Sequence, residues 1–298
     1  MPVPHRPPGA LRIIVTADDF GLAPAVNAAV IKAHRTGTLT SASLMVAEPS
    51  AAQAVALARE TPTLRVGLHV VVVDGKTSLP RDQVASIVDA TGRLSSRLGL
   101  AGFRYFGHPT ARRQLRAEVR AQFEAFRATG LALDHVDTHR HMILHPVVLD
   151  AIVSLASEFH IRAVRLPAEP WHATRGLPIA ARIAAAVRIV SLAPWLALVR
   201  RRLRRAGIAH NAEVRGLADT GRMDEQAVLR LIPTVDCDAT EFFFHPAMAS
   251  PGDAALPQPA ARHLAELDAL CSAAVRGALD RAGLQRVGYG DLVSGSVG

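Results

Sequence analysis

Lysine, cysteine and aromatic residues are all scarce in this sequence of 298 residues, and each scarcity excludes something. Lys32 and Lys76 are the only lysines, so arginine supplies nearly all of the 34 basic side chains. A net charge of +8 first suggests a nucleic-acid partner, but aromatics at 4% leave few platforms on which bases could stack. Neither a zinc-finger spacing nor an RNA-recognition signature is present. Abundant arginine, alanine and proline is as readily a coding bias, and no nucleic-acid partner is expected. The two cysteines, Cys237 and Cys271, form no Cys-x-x-Cys pair and no disulfide framework, which fits a reducing cytoplasm. The proline-rich residues 1–10 lack the apolar centre of a secretory signal and read as a flexible tail. An apolar fraction of 49% with 20% charged residues is that of a globular chain, here read as a single domain over 11–298.

What is present is alternation. Apolar runs at 11–16, 39–46, 65–73, 132–138, 161–166, 212–216 and 240–245 read as strands. Helix-period segments at 23–36, 50–60, 112–128, 146–158, from 179 to about 207, 224–231 and 258–282 fall between or after them. This order predicts a parallel sheet with crossover helices, and seven strands favour a closed or nearly closed (β/α) barrel. Polar residues gather at the C-terminal ends of these runs: Asp18 and Asp19, His69, His139 and His141, His245. In such barrels that rim is where active sites form.

The densest cluster is His135-Val-Asp-Thr-His-Arg-His141. On a strand Asp137, His139 and His141 would share one face. Asp18 and Asp19 would repel each other unless a cation or a shared proton offsets their charge. A hydrolytic metal site needs about three protein ligands and an open position. Asp19, His69 and one of His139 and His141 can supply them, with Asp18 as general base and His245 as the acid that protonates a leaving nitrogen. Each has a plainer reading: Asp18 as a helix cap, His69 as a satisfied core histidine, Arg165 as the neutraliser of an acidic neighbour rather than a group that reaches substrate. His34 and His145 read as packing residues, and Asp74-Gly75 as a turn.

Thr16-Ala-Asp-Asp-Phe-Gly-Leu22, Gly67-Leu-His69, Asp134-His-Val-Asp-Thr-His-Arg-His141, Arg165-Leu-Pro167 and Glu241-Phe-Phe-Phe-His-Pro246 together resemble the YdjC-like carbohydrate deacetylases, over about residues 11–289. The resemblance implies a (β/α) barrel and removal of an N-acetyl group from an amino sugar. It also implies one divalent metal ion held by Asp19, His69 and His139, with zinc or magnesium the leading identities. Asp18 then becomes the base and His245 the acid, and His141 and Arg165 fall on the substrate side. Two positions depart from the pattern: Arg140 where a third histidine is common, and Ala247 where glycine is. With Gly216-Leu-Ala-Asp-Thr-Gly-Arg-Met223 added, the chain is most similar to the hopanoid-biosynthesis-associated branch, which implies an N-acetylglucosaminyl hopanoid as substrate.

One segment breaks the alternation. From 179 to 199 the chain is almost wholly apolar apart from Arg182 and Arg188, and it ends in Arg200-Arg-Arg-Leu-Arg-Arg205. Its uninterrupted part, 189–199, is too short to span a bilayer. It is either a core helix with a basic end or an interfacial helix, with Trp195 near the headgroups and its arginines on anionic lipid. The second reading would put the enzyme at the inner face of the cytoplasmic membrane; the first leaves room for a soluble chitooligosaccharide substrate. A non-catalytic sugar- or lipid-binding barrel is the remaining alternative.

Overall fold

The computed structural model describes residues 11–248 and 259–294; the expected tail, 1–10, lies outside them. The strands are β1 (Arg12–Phe20), β2 (Ser41–Leu44), β3 (Arg65–Val70), β4 (Val136–Thr138), β5 (Ala163–Val164), β6 (Ala209–His210), β7 (Glu213–Arg215), β8 (Thr240–Phe244) and β9 (Gln285–Val287). The helices are α1 (Pro24–Thr36), α2 (Ala51–Arg59), α3 (Leu98–Gly107), α4 (Pro109–Ala128), α5 (Pro146–Ser154), α6 (Ile179–Arg205), α7 (Glu225–Leu231), α8 (Ala260–Cys271), α9 (Ala273–Arg281) and α10 (Gly290–Ser294).

All strand pairs are parallel. The sheet runs β6-β5-β4-β3-β2-β1-β8-β7, with β9 also paired to the start of β1. It curls as a half-barrel, so that its two ends, β6 and β7, are successive in the chain. The expected seven strands become eight along the sheet and a ninth beside it, for two local reasons. First, the run read as one strand at 212–216 belongs to a longer stretch interrupted at Asn211. There the carboxamide takes over backbone pairing: its oxygen accepts from Leu166 N–H at 2.7 Å and its nitrogen donates to Leu166 O at 2.9 Å. Val214 N–H then donates to Ala168 O at 2.8 Å. Second, β9 is three residues long and opens on Gln285 and Arg286, so no apolar run betrays it.

Two helices also differ from expectation. α3 falls in a stretch read as loop, because Gly99, Gly102 and Gly107 lower its helix propensity; its anchor is Tyr105, whose hydroxyl donates to Val72 O at 2.5 Å. The final helix divides into α8 and α9 at Ser272, whose Oγ accepts from Ala274 and Val275 N–H and caps the second piece.

The core lies between the sheet and its helices. β1 is buried along almost its whole length, with Ile13, Val15, Ala17 and Phe20 in the main cluster. α4 serves the site directly. Its Gln122 carboxamide pairs with both backbone groups of Val71, and its Glu118 carboxylate accepts from Ser78 and Leu79 N–H. The loop that leaves β3 just after His69 is thereby tied down.

Candidate metal centre and active site

Two neighbouring carboxylates on a regular strand would face opposite sides of the sheet. Here both Asp18 and Asp19 are buried at the rim. The register of β1 against β2 shifts between Ala17 and Phe20, and Asp19 takes a left-handed backbone with φ 63°. Aspartate tolerates that conformation better than most residues, and the kink resets the alternation. Asp18 turns to Arg165, while Asp19 turns to His69 and His139.

Three ligand-type atoms converge at that point. Asp19 Oδ1 lies 3.2 Å from His139 Nδ1 and 3.5 Å from His69 Nε2, and the two ring nitrogens are 3.3 Å apart. Asp19 Oδ1 is buried without a hydrogen-bond partner. A buried, unpaired carboxylate oxygen is costly, and a cation would satisfy it. His69 Nδ1–H donates to Asp137 Oδ1 at 2.8 Å, which leaves Nε2 to face Asp19. A carboxylate on the far nitrogen is the usual support for a metal-binding imidazole. Burial alone would lower the His69 pKa, but the carboxylates of Asp137, Asp18 and Asp19 raise it to about 9. One carboxylate and two imidazoles, all buried, fit a divalent cation such as zinc.

A Cβ on Gly67 would stand 2.5 Å from the His135 ring, which is itself held between Ser43 Oγ and Asp134 and stacked on Tyr289. We expect Gly67→Ala to cost about 1–3 kcal/mol by overpacking, read as a lower midpoint in urea unfolding. His135 thus packs beneath Gly67 and is not one of the grouped residues Asp19, His69 and His139.

The shared face expected for Asp137, His139 and His141 is not realised. β4 ends at Thr138, and Arg140 and His141 both take left-handed backbones, with φ 56° and 55°. Thr138 Oγ1 accepts from Ile143 N–H at 2.8 Å and closes the turn. Asp137 and His139 still meet at His69, whereas His141 packs edge-on against Phe243, 5.3 Å between centroids. Phe243 also meets His245 at 5.7 Å and lies 5.3 Å from the Arg165 guanidinium. His141, His245 and Arg165 therefore surround one ring beside the grouping of Asp19, His69 and His139. Burial and the Arg165 charge hold the His141 imidazole below its usual range. Arg140 is exposed and 3.6 Å from Asp74, away from the cluster. Ala247 is fully buried in the core, so its methyl group does not line an open pocket.

Arg165 is 1% exposed, and each of its guanidinium nitrogens faces a carboxylate. Nη1 and Nη2 grip Asp18 at 2.7 and 2.8 Å, Nε and Nη2 bond Glu241, and Nη1 lies 2.6 Å from Asp137. Its fork is occupied by acidic neighbours instead of being turned to a substrate. Burial would raise the Asp18 pKa, but the Arg165 charge holds that carboxyl well below the usual range. Asp18 caps no helix: Ala23 stands at the start of α1. His245 Nε2 is 3.9 Å from Asp18 Oδ2, and His245 Nδ1 is 4.0 Å from Glu266 Oε2. His34 and His145 are packing residues; His145 bonds Gly102 O and caps α5.

Sequence reasoning assigned no role to Asp137, Glu241 or Glu266, all fully buried. The signal for Glu241 was available: a lone acid opening the run Glu241-Phe-Phe-Phe must be paired if that run is a core strand. Asp137 had only its place in the histidine cluster, and Glu266, on an amphipathic helix, had none. Two further groupings already contain a cation. Asp18, His69 and Asp137 share Arg165, whose Nη1 lies 2.7 Å from Asp18 and 2.6 Å from Asp137; in His172, Glu213 and Asp236, Arg215 lies 3.0 Å from His172 Nε2 and 2.9 Å from Glu213 Oε2.

Comparison with known proteins bears on this arrangement. The chain is 39% identical over 159 residues to a carbohydrate deacetylase of Brevibacillus brevis, covering 53% of this chain and 60% of that protein. It is 36% identical over 156 residues to the carbohydrate deacetylase of Oceanobacillus iheyensis, covering 51% of this chain and 63% of that one. The matches thus span less than two thirds of these relatives. A crystal structure from Enterococcus faecalis V583, assigned as a candidate cellobiose-phosphate cleavage protein, superposes with a TM-score of 0.75 over 95% of this chain and 99% of its own, at 23% identity. That likeness establishes the fold. Residues 12–281 match the profile described as YdjC-like protein, and the chain belongs to that family.

Proposed function

We propose that this protein is a metal-dependent N-deacetylase of an acetylated amino sugar, built as a single domain. The observation that carries the reading is the meeting of Asp19, His69 and His139 beside an Asp18 carboxylate pinned in its ionised form by Arg165. The kinship with carbohydrate deacetylases supports the substrate class. A divalent cation held by Asp19, His69 and His139 would polarise the acetyl carbonyl and make water more acidic. Asp18 accepts a proton from the attacking water as its oxygen bonds to the carbonyl carbon. His245 donates a proton to the sugar nitrogen as the C–N bond breaks, so that acetate and a free amine leave. Arg165 is a positioning residue for Asp18, and His141, beside Phe243 and His245, borders the substrate.

The finer reading is a lipid-linked substrate, an N-acetylglucosaminyl hopanoid, met at the inner face of the cytoplasmic membrane. The motifs shared with the hopanoid-associated branch support it, and so does the exposed apolar helix α6. The test is acetate release, followed by mass spectrometry, from N-acetylglucosaminyl-bacteriohopanetetrol and from diacetylchitobiose, with and without chelator. Chelator-sensitive turnover of the lipid-linked sugar alone is the expected result. Turnover of the soluble sugar alone would move the substrate to chitooligosaccharides, and turnover of neither would sink the deacetylase reading.

The ligand set has its own test, independent of substrate. Asp19→Ala and His139→Ala should each take bound zinc, measured by inductively coupled plasma mass spectrometry, from stoichiometric to near background. His141→Ala should leave it unchanged. Loss of metal in His141→Ala would reverse the choice between the two histidines.

A further inference from the structure

Two helices with exposed apolar faces flank the turn that carries His139 and His141. On α6, Ile179, Ile183, Val187, Val190 and Leu198 are exposed to 74, 59, 62, 72 and 56%. Their spacing places them on one face of a helix, a stripe roughly 28 Å long at 1.5 Å per residue. On α3, Phe103 and Phe106 are exposed to 76 and 61%. The two helices reach the same point of the fold. Trp195 Nε1–H of α6 donates to Leu144 O at 2.8 Å, and the next residue, His145, bonds Gly102 O of α3 at 3.0 Å. Trp195 is thus turned to the protein, which corrects its expected place among headgroups.

Neither helix contains an acidic residue. At the end of the α6 stripe Arg201, Arg204 and Arg205 are exposed and make no ion pair among the described residues. Their neighbours Arg200 and Arg202 are engaged by Ala212 O and Asp150. α6 is long and apolar enough to cross a membrane, but its other face packs on the protein through Ala185, Leu196, Val199 and Leu203, and Arg188 is bonded to Glu169. A helix fixed along one side, apolar outward and basic at its end, suits the plane of a headgroup layer rather than a span. Exposed apolar surface of this extent is unusual on a protein that meets only water. A second copy would bring the same basic face, whereas anionic headgroups neutralise it.

We infer that the α6 stripe 179–198, with Phe103 and Phe106 of α3, is a docking surface for an anionic lipid bilayer, and that it holds the mouth of the site at headgroup level. The lipid-linked substrate gives this docking its purpose, so to that extent the inference rests on the proposed function; the binding itself is measured without turnover.

The experiment is co-sedimentation of the full chain with vesicles of phosphatidylglycerol and phosphatidylcholine, and with vesicles of phosphatidylcholine alone. Binding to the anionic vesicles alone is expected. Arg201→Gln/Arg204→Gln/Arg205→Gln should weaken it about a hundredfold, near the effect of three basic residues at an anionic surface. Phe103→Ser/Phe106→Ser and Val187→Ser/Val190→Ser should each weaken it at least about tenfold through lost apolar insertion. Absence of binding by the unaltered chain would overturn the inference, as would binding that all three variants retain. So would light scattering that shows a dimer which the serine variants dissociate, since the occupant would then be a second copy. Deacetylation of diacetylchitobiose or the hopanoid, measured in parallel, separates the two readings: lipid binding with no acetate released supports docking and overturns only the assignment of the site.

Discussion

Arg165→Met is expected to lower the free energy of unfolding by about 3–5 kcal/mol, the usual consequence of removing one partner from a buried ionic network. For a domain whose total stability is about 5–15 kcal/mol, that is a large share. The reason is the number of charges one side chain serves. Asp18, Asp137 and Glu241 are each 2% exposed or less, and all three are within 3 Å of the guanidinium. Methionine would fill the space and leave three carboxylates facing one another. Arg165→Lys should recover little, because an ammonium group cannot grip Asp18 with two nitrogens while a third bonds Glu241. The pH dependence gives a second readout. Burial acts to raise Asp18 and Asp137, but Arg165 holds both below their ordinary pKa. Their contribution in the unaltered chain is therefore present above the unfolded pKa of about 3.9 and lost as pH falls through the folded value. Without Arg165, burial and mutual repulsion push the same groups upward, and the sign reverses: stability is lost as pH rises through the raised values. Urea unfolding should show a larger deficit near pH 8 than near pH 5, and a deficit equal at both would contradict the account.

How much of this the amino-acid sequence discloses depends on the range of the interaction. The parallel α/β order was legible because each crossover helix has its own apolar period and each central strand its own apolar run. The places where reading failed are those where one side chain replaces a repeated pattern: Asn211 substituting for a backbone ladder, Ser272 dividing a helix, three glycines hiding α3. At the site, the residue types were visible but their directions were not. Alternation predicted that Asp137, His139 and His141 share a face, and the paired left-handed residues Arg140 and His141 broke it. Alternation also parts Asp18 from Asp19, and the kink at Asp19 turns it to His69 and His139 while Asp18 meets Arg165. Arg165 lies far in sequence from Asp18 and Glu241, so no spacing could connect them. Both of its readings were open until the fold placed three carboxylates around it.

On the proposed mechanism, with Asp18 as general base, Asp18→Asn should reduce the rate of acetate release about a hundredfold to ten-thousandfold, while bound metal stays at the level of the unaltered chain. The two halves of the prediction come from different atoms. Asp18 shares His69 with a second grouping, but both of its oxygens are held by Arg165, so the amide leaves Asp19, His69 and His139 in place. What changes is proton affinity: an amide oxygen at physiological pH does not take the proton that the attacking water must lose. Asn also keeps the shape of the Arg165 contact, accepting from one of Nη1 and Nη2, so the fold should survive with a modest loss where the second bond was. A ground-state binding role would instead raise KM and leave kcat unchanged, since uniform binding does not alter the chemical step. Measurement of kcat, KM and bound metal on the same preparation decides between them. Full kcat in Asp18→Asn would transfer the base to another group, and loss of metal would mean that Asp18 helps to hold the cation after all.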